Sequence, residues 1–83
     1  MARQLTIEEA ADSIINWAYS DSHVKLDRQV LIDQLREDEG FSGCRPTEKE
    51  CEWLVTSDDD GEIPGDVEEH FPKTCAFVGS YWE

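Results

Sequence analysis

Four side chains in this sequence have the most specific chemistry open to them. Cys44, Cys51, His70 and Cys75 offer three thiols and one imidazole, a legitimate ligand set for tetrahedral zinc. Their spacing argues against it. Six residues separate Cys44 from Cys51, where a zinc knuckle has about two to four. Cys51 also falls on the apolar face of an expected helix, where a free cysteine is ordinarily a small core residue. Calcium is the next test, because Asp58, Asp59 and Asp60 precede Gly61. With Gly61 as the turn glycine of an EF-hand loop, Asp58 and Asp60 take the third and fifth ligand positions. Thr56 then takes the first position, Pro64 the ninth, and Val67 stands where the bidentate Glu belongs. The expectation is no metal and no cofactor.

Catalysis has less to stand on. His23 lies in a polar connector and His70 beside Glu68 and Glu69. The chain has no glycine-rich phosphate cradle, no Gly-x-Ser-x-Gly and no His-Glu-x-x-His. Abundant carboxylates do not by themselves place two around a reacting bond. We expect a protein that is not an enzyme.

What remains is charge. The chain has 83 residues, 20 Asp and Glu against 7 Lys and Arg, and a net charge of −13. Residues 1–36 contribute six acids and four bases, −2; residues 37–83 contribute fourteen acids and three bases, −11. The stretch from Ser57 to Glu69 holds seven carboxylates and no base. Such a field repels nucleic acid and anionic membranes and speeds encounter with basic proteins. The sequence contains no apolar leader and no membrane-length apolar run. These features give a cytoplasmic expectation, with reduced thiols and no direct nucleic-acid or membrane contact.

The elements that must position this charge read as one small domain, 1–83. Thr6-Ile7-Glu8-Glu9 is a capping box, followed by Ile7, Ala10, Ala11, Ile14 and Ala18 at helical spacing, which predicts a helix over about 7–19. Asp27 caps a second helix over about 28–39, with Val30, Leu31 and Leu35 inward, Ile32 at the edge and Gly40 ending it. Glu37-Asp38-Glu39 then falls in its last turn, the unfavourable end for negative charge. Phe41 begins a loop. Thr47-Glu48-Lys49-Glu50 is a second capping box, opening a short helix to about Val55 with Trp53 at its margin. An acidic loop follows, with one turn from Val67 to Phe71 that Pro72 ends. Residues 74–82 read as a strand: Cys75, Phe77 and Tyr81 alternate with Ala76, Val78 and Trp82. The expected fold is mainly α (α+β), a three-helix domain with an acidic loop and a short C-terminal β-strand.

A chain of this kind reads as a protein-binding module. Its partner would be a basic protein surface, that of a nucleic-acid-binding protein or nucleic-acid enzyme, which it would inhibit by standing in for phosphates. In size and charge it is similar to small phage-encoded inhibitors of host defence enzymes and to immunity proteins of nuclease toxins; no motif carries the likeness further. The expected contact residues are Glu37, Asp38, Glu39, Asp58, Asp59, Asp60, Glu62, Asp66, Glu68 and Glu69, with Trp53 and Trp82 as aromatic anchors. The alternatives are a structural or regulatory protein that forms a homodimer through its C-terminal strand, and a small metal-binding module.

Overall fold

The computed structural model describes residues 3–60 and 65–81. It contains α1 (Ile7–Ser22), α2 (Arg28–Ser42), α3 (Glu48–Asp60), α4 (Gly65–His70) and α5 (Pro72–Ser80). The expected C-terminal strand is absent: residues 72–80 are helical, and no strand occurs among the described residues. The only sheet-like pairing there is one antiparallel bridge between Gln4 and Thr47. It ties the N-terminal segment to the α2–α3 loop together with a bond from the Leu5 N–H to the Pro46 carbonyl at 3.0 Å.

Both capping boxes form. The Thr6 N–H donates to Glu9 Oε1 at 3.0 Å and the Glu9 N–H to Thr6 Oγ1 at 3.1 Å. At α3 the Thr47 N–H donates to Glu50 Oε1 at 2.9 Å and the Glu50 N–H to Thr47 Oγ1 at 3.3 Å. Asp27 caps α2, accepting from the Val30 N–H at 3.2 Å. Each arrangement satisfies first-turn donors that have no intrahelical acceptor.

Helix ends differ more from expectation than helix starts. The α1 helix runs past residue 19 to Ser22, and His23 supplies the left-handed residue, φ 56°, that closes it. Gly40 does not end α2. The helix passes through it to Ser42, and Gly43, φ 75°, makes the left-handed turn and donates its N–H to the Glu39 carbonyl at 2.7 Å. The α3 helix continues beyond Val55 to Asp60, so Asp58–Asp60 belong to a helical backbone and not to a loop. No helix breaker occurs before Gly61 and Pro64.

The core joins Ala10, Ala11, Ile14 and Ala18 of α1 to Leu31, Ile32 and Leu35 of α2, Cys51, Leu54 and Val55 of α3, and Val67, Phe71 and Val78. On α2 the apolar face is rotated from the expected one: Ile32 is buried, and Val30 is 37% exposed. The positions turned inward are Leu31, Ile32, Leu35 and Asp38, a consistent helical stripe that passes beside Val30. Pro72 ends α4 and also starts α5, where its missing N–H costs nothing at the first helical position. Phe71, Thr74 and Val78 are all buried, the three-and-four spacing of a helix face.

The α2 and α5 helices run antiparallel and are tied at both ends. Near the start of α2 the Asp27 N–H donates to the Tyr81 hydroxyl at 3.4 Å, and near its end Asp38 receives the first turn of α5. The short α4 helix packs against α2, α3 and α5. The α-carbon radius of gyration is 11.3 Å, close to the ~12 Å expected of a compact chain this long.

Candidate functional site

The acidic cluster of α2 divides into three separate roles. Asp38 is fully buried. Its Oδ1 accepts the Lys73 N–H at 3.2 Å; its Oδ2 accepts the Thr74 N–H at 2.7 Å and the Thr74 hydroxyl at 2.6 Å. It is therefore the N-terminal cap of α5, supplied from another helix, since Phe71 caps nothing with its own side chain. This corrects the expectation that Asp38 faces a partner: it has no accessible surface to offer one. Glu37 pairs with Lys73 at 3.4 Å, and Glu39 with Arg45 at 3.4 Å. Because α2 extends to Ser42, the cluster lies one turn inside the helix and not at its end, which moves it away from the unfavourable dipole end.

Five of the seven bases are engaged within the fold. Arg3 pairs with Glu9 at 3.4 Å and Arg28 with Asp12 at 2.8 Å, alongside the two pairs on α2. Lys49 lies 5.9 Å above the Trp53 ring. The stretch from Glu48 to Glu69 holds ten carboxylates and Lys49 as its single base. Glu48 accepts from the Ser13 hydroxyl at 3.0 Å, Glu50 completes its capping box, and Glu68 and Glu69 on α4 are exposed.

The tertiary structure sets the acidic α4 helix beside α2. The start of α5 sits on Asp38, so α4, which leads into it, lies toward the C-terminal end of α2. Asp60 and Gly65 are five residues apart, and the chain cannot separate them by more than about 18 Å. The α4 helix, with Glu68 and Glu69 exposed, packs against both α2 and α3, whereas among the described residues α2 and α3 do not meet each other. Of the expected contact residues, Glu62 and Trp82 lie outside the described residues. Asp58, Asp59, Asp60 and Asp66 are placed by their helical backbones alone. Trp53 is half-buried against the core beside Lys49.

The zinc set does not assemble. The Cys51 thiol donates to the Ala10 carbonyl at 3.7 Å, the Cys75 thiol to Val67 at 3.8 Å and the Cys44 thiol to Ser42 at 3.7 Å, each on a different element. Burial pushes the Cys51 thiol up to about 12, with Glu48 and Glu50 adding to the rise. Burial likewise pushes Cys75 up to about 12, helped by Glu68 and Asp38. Metal ligation requires thiolates, which these surroundings disfavour. Among the described residues no group of three or more His, Cys, Asp or Glu side chains is arranged to hold a metal. No helix among them is long and apolar enough to cross a membrane.

Phe41 is the residue that the sequence reading missed. Assigned to a loop, it stands on the last turn of α2 with 72% of its surface exposed. The available signal was the second glycine, Gly43, which is the true helix stop.

Comparison with known proteins finds no matching family model, no matching curated protein and no matching solved structure.

Proposed function

We propose that the chain is a small acidic protein-binding module that occupies the basic surface of a nucleic-acid-binding protein or nucleic-acid enzyme and inhibits it by competing with phosphates. The supporting observation is the division of charge. Arg3, Arg28, Arg45 and Lys73 each pair with a carboxylate of this chain. The stretch from Glu48 to Glu69, by contrast, holds ten acids with one base. A negative field of this kind accelerates association with a positive surface and disfavours other partners. A homodimer through the C-terminal strand loses its basis, because the helical α5 pairs its own backbone groups and leaves no strand edge.

The test is capture of partners from a lysate at about 0.15 M salt, where the Debye length is about 8 Å. The expected partner is a basic nucleic-acid-handling protein that added duplex DNA releases. The combined Asp58→Asn, Asp59→Asn and Asp60→Asn variant should associate more slowly and with a weaker salt dependence. Undiminished capture by that variant, or indifference to DNA, rules the reading out.

A further inference from the structure

Among the described residues, Phe41 is the most exposed of the large apolar side chains, and no polar or ring contact engages it. The others that reach the surface are less open and better held. Tyr81 packs edge-on against Phe77 with ring centroids 5.2 Å apart and accepts the Asp27 N–H. Tyr19 lies against the His23 ring at 5.4 Å. Phe41 is nonetheless carried on a firm backbone. The α2 helix continues through it, Gly43 closes the helix behind it, and the Ser42 hydroxyl donates back to the Asp38 carbonyl at 3.0 Å. Beside it, a Cβ added at Gly40 would meet nothing within 4 Å, so the approach to the ring is open. An exposed aromatic side chain on a firm helical backbone has only two side-chain torsions to lose when a partner covers it.

The ring's surroundings determine what that partner is. Glu37 stands one turn back on the same face of α2, and Glu68 and Glu69 are exposed on the neighbouring α4. Lys73 stands on Glu37 in a solvent-exposed pair at 3.4 Å that incoming charges can exchange for readily, and the exposed Arg36 lies about 140° round the helix from the ring. A second copy of this chain would bring a further −13 of like charge. Nucleic acid and anionic lipid are repelled in the same way.

We infer that Phe41 anchors a cationic amphipathic segment of a partner protein, whose apolar stripe receives the ring while its Lys and Arg side chains meet Glu37, Glu68 and Glu69. This rests on the acidic-surface reading and adds an anchor that phosphate mimicry alone does not need.

Two labelled peptides of equal positive charge test it: an amphipathic Lys/Leu helix and an oligolysine, each titrated at about 0.15 M salt. The Lys/Leu peptide should bind the wild type more tightly. Phe41→Ala should weaken that peptide by about 30-fold, the scale of a binding hot spot, and leave oligolysine unchanged. The exposure of Phe41 means that this variant keeps its fold, which circular dichroism checks. Equal affinity for the two peptides, or less than about a 3-fold effect of Phe41→Ala, overturns the anchor while leaving charge-driven binding intact. Lys/Leu binding that ignores both salt and the combined Glu68→Gln, Glu69→Gln variant instead overturns the acidic-surface reading beneath it. Sedimentation showing a wild-type dimer that Phe41→Ala dissociates overturns the proposed occupant, because a second copy then covers the ring.

Discussion

At the scale of single residues, Asp38 connects the two halves of the chain. Its two carboxyl oxygens receive three donors from the first turn of α5, all within 3.2 Å. Asp38→Ala would leave those donors unpaired, two of them on the fully buried Thr74, a loss of about 2–4 kcal/mol. Urea denaturation should show this as a lower midpoint with an unchanged slope. Thr74→Val, which removes one of the three bonds, should lose less. The thiols make a second prediction. Cys51 and Cys75 are pushed from 9.0 to about 12 by burial, so the folded state keeps them protonated where the unfolded state ionises. Their contribution is whole below about pH 9 and falls as pH rises toward about 12, because the folded chain then binds more protons than the unfolded one. Stability should therefore decline across that window, and less steeply in the Cys51→Ala, Cys75→Ala variant. At neutral pH the native protein should alkylate slowly at both positions.

Single elements show how similar residues acquire different meanings from their place in a helix. Gly40 is inside α2 with open space at its Cβ position, whereas Gly43 holds φ 75°. Gly40→Ala should stabilise the protein by about 0.5–1 kcal/mol through backbone entropy. Gly43→Ala should destabilise it by about 1–2 kcal/mol, the cost of a side chain in the left-handed region. Thermal midpoints moving in the same direction for both variants would contradict the helix end described here. The α3 helix carries Asp58–Asp60 at its C-terminal end with no base in its last turn. Replacing all three by Asn should raise stability by about 1 kcal/mol at low salt, since negative charge opposes the dipole there. The same substitutions are expected to impair partner capture, so a gain in stability together with a loss of binding would separate the two effects.

Across the whole molecule the net charge of −13 acts as self-repulsion within a globule of radius of gyration 11.3 Å. Raising ionic strength from about 0.01 M to 0.1 M shortens the Debye length from about 30 Å to 10 Å. The thermal midpoint should rise by a few degrees over that range, as screening relieves the compact state more than the expanded one. A flat or falling midpoint would mean that the ion pairs outweigh the repulsion. Exposed pairs of this kind rarely do so.

Much of this architecture was legible in the residues themselves. Thr6 and Glu9, Asp27, and Thr47 and Glu50 announced three helix starts, because a cap is a contact between residues three apart and needs nothing distant. The absence of a metal-ligand pattern in the cysteine spacing and the excess of acid in the second half are likewise properties of the chain alone. The C-terminal segment was different. Its β-branched and aromatic residues fit a strand as well as a helix, and the cap that decides for the helix comes from Asp38, 36 residues away in sequence from Thr74. The same contact decided what Glu37-Asp38-Glu39 is. In sequence it is three like charges; in the fold one is buried as a cap while its neighbours pair with Lys73 and Arg45. Local hydrogen bonding sets where helices begin, whereas burial of a charge and exposure of a ring such as Phe41 depend on which element packs beside them, and only the tertiary structure supplies that neighbour.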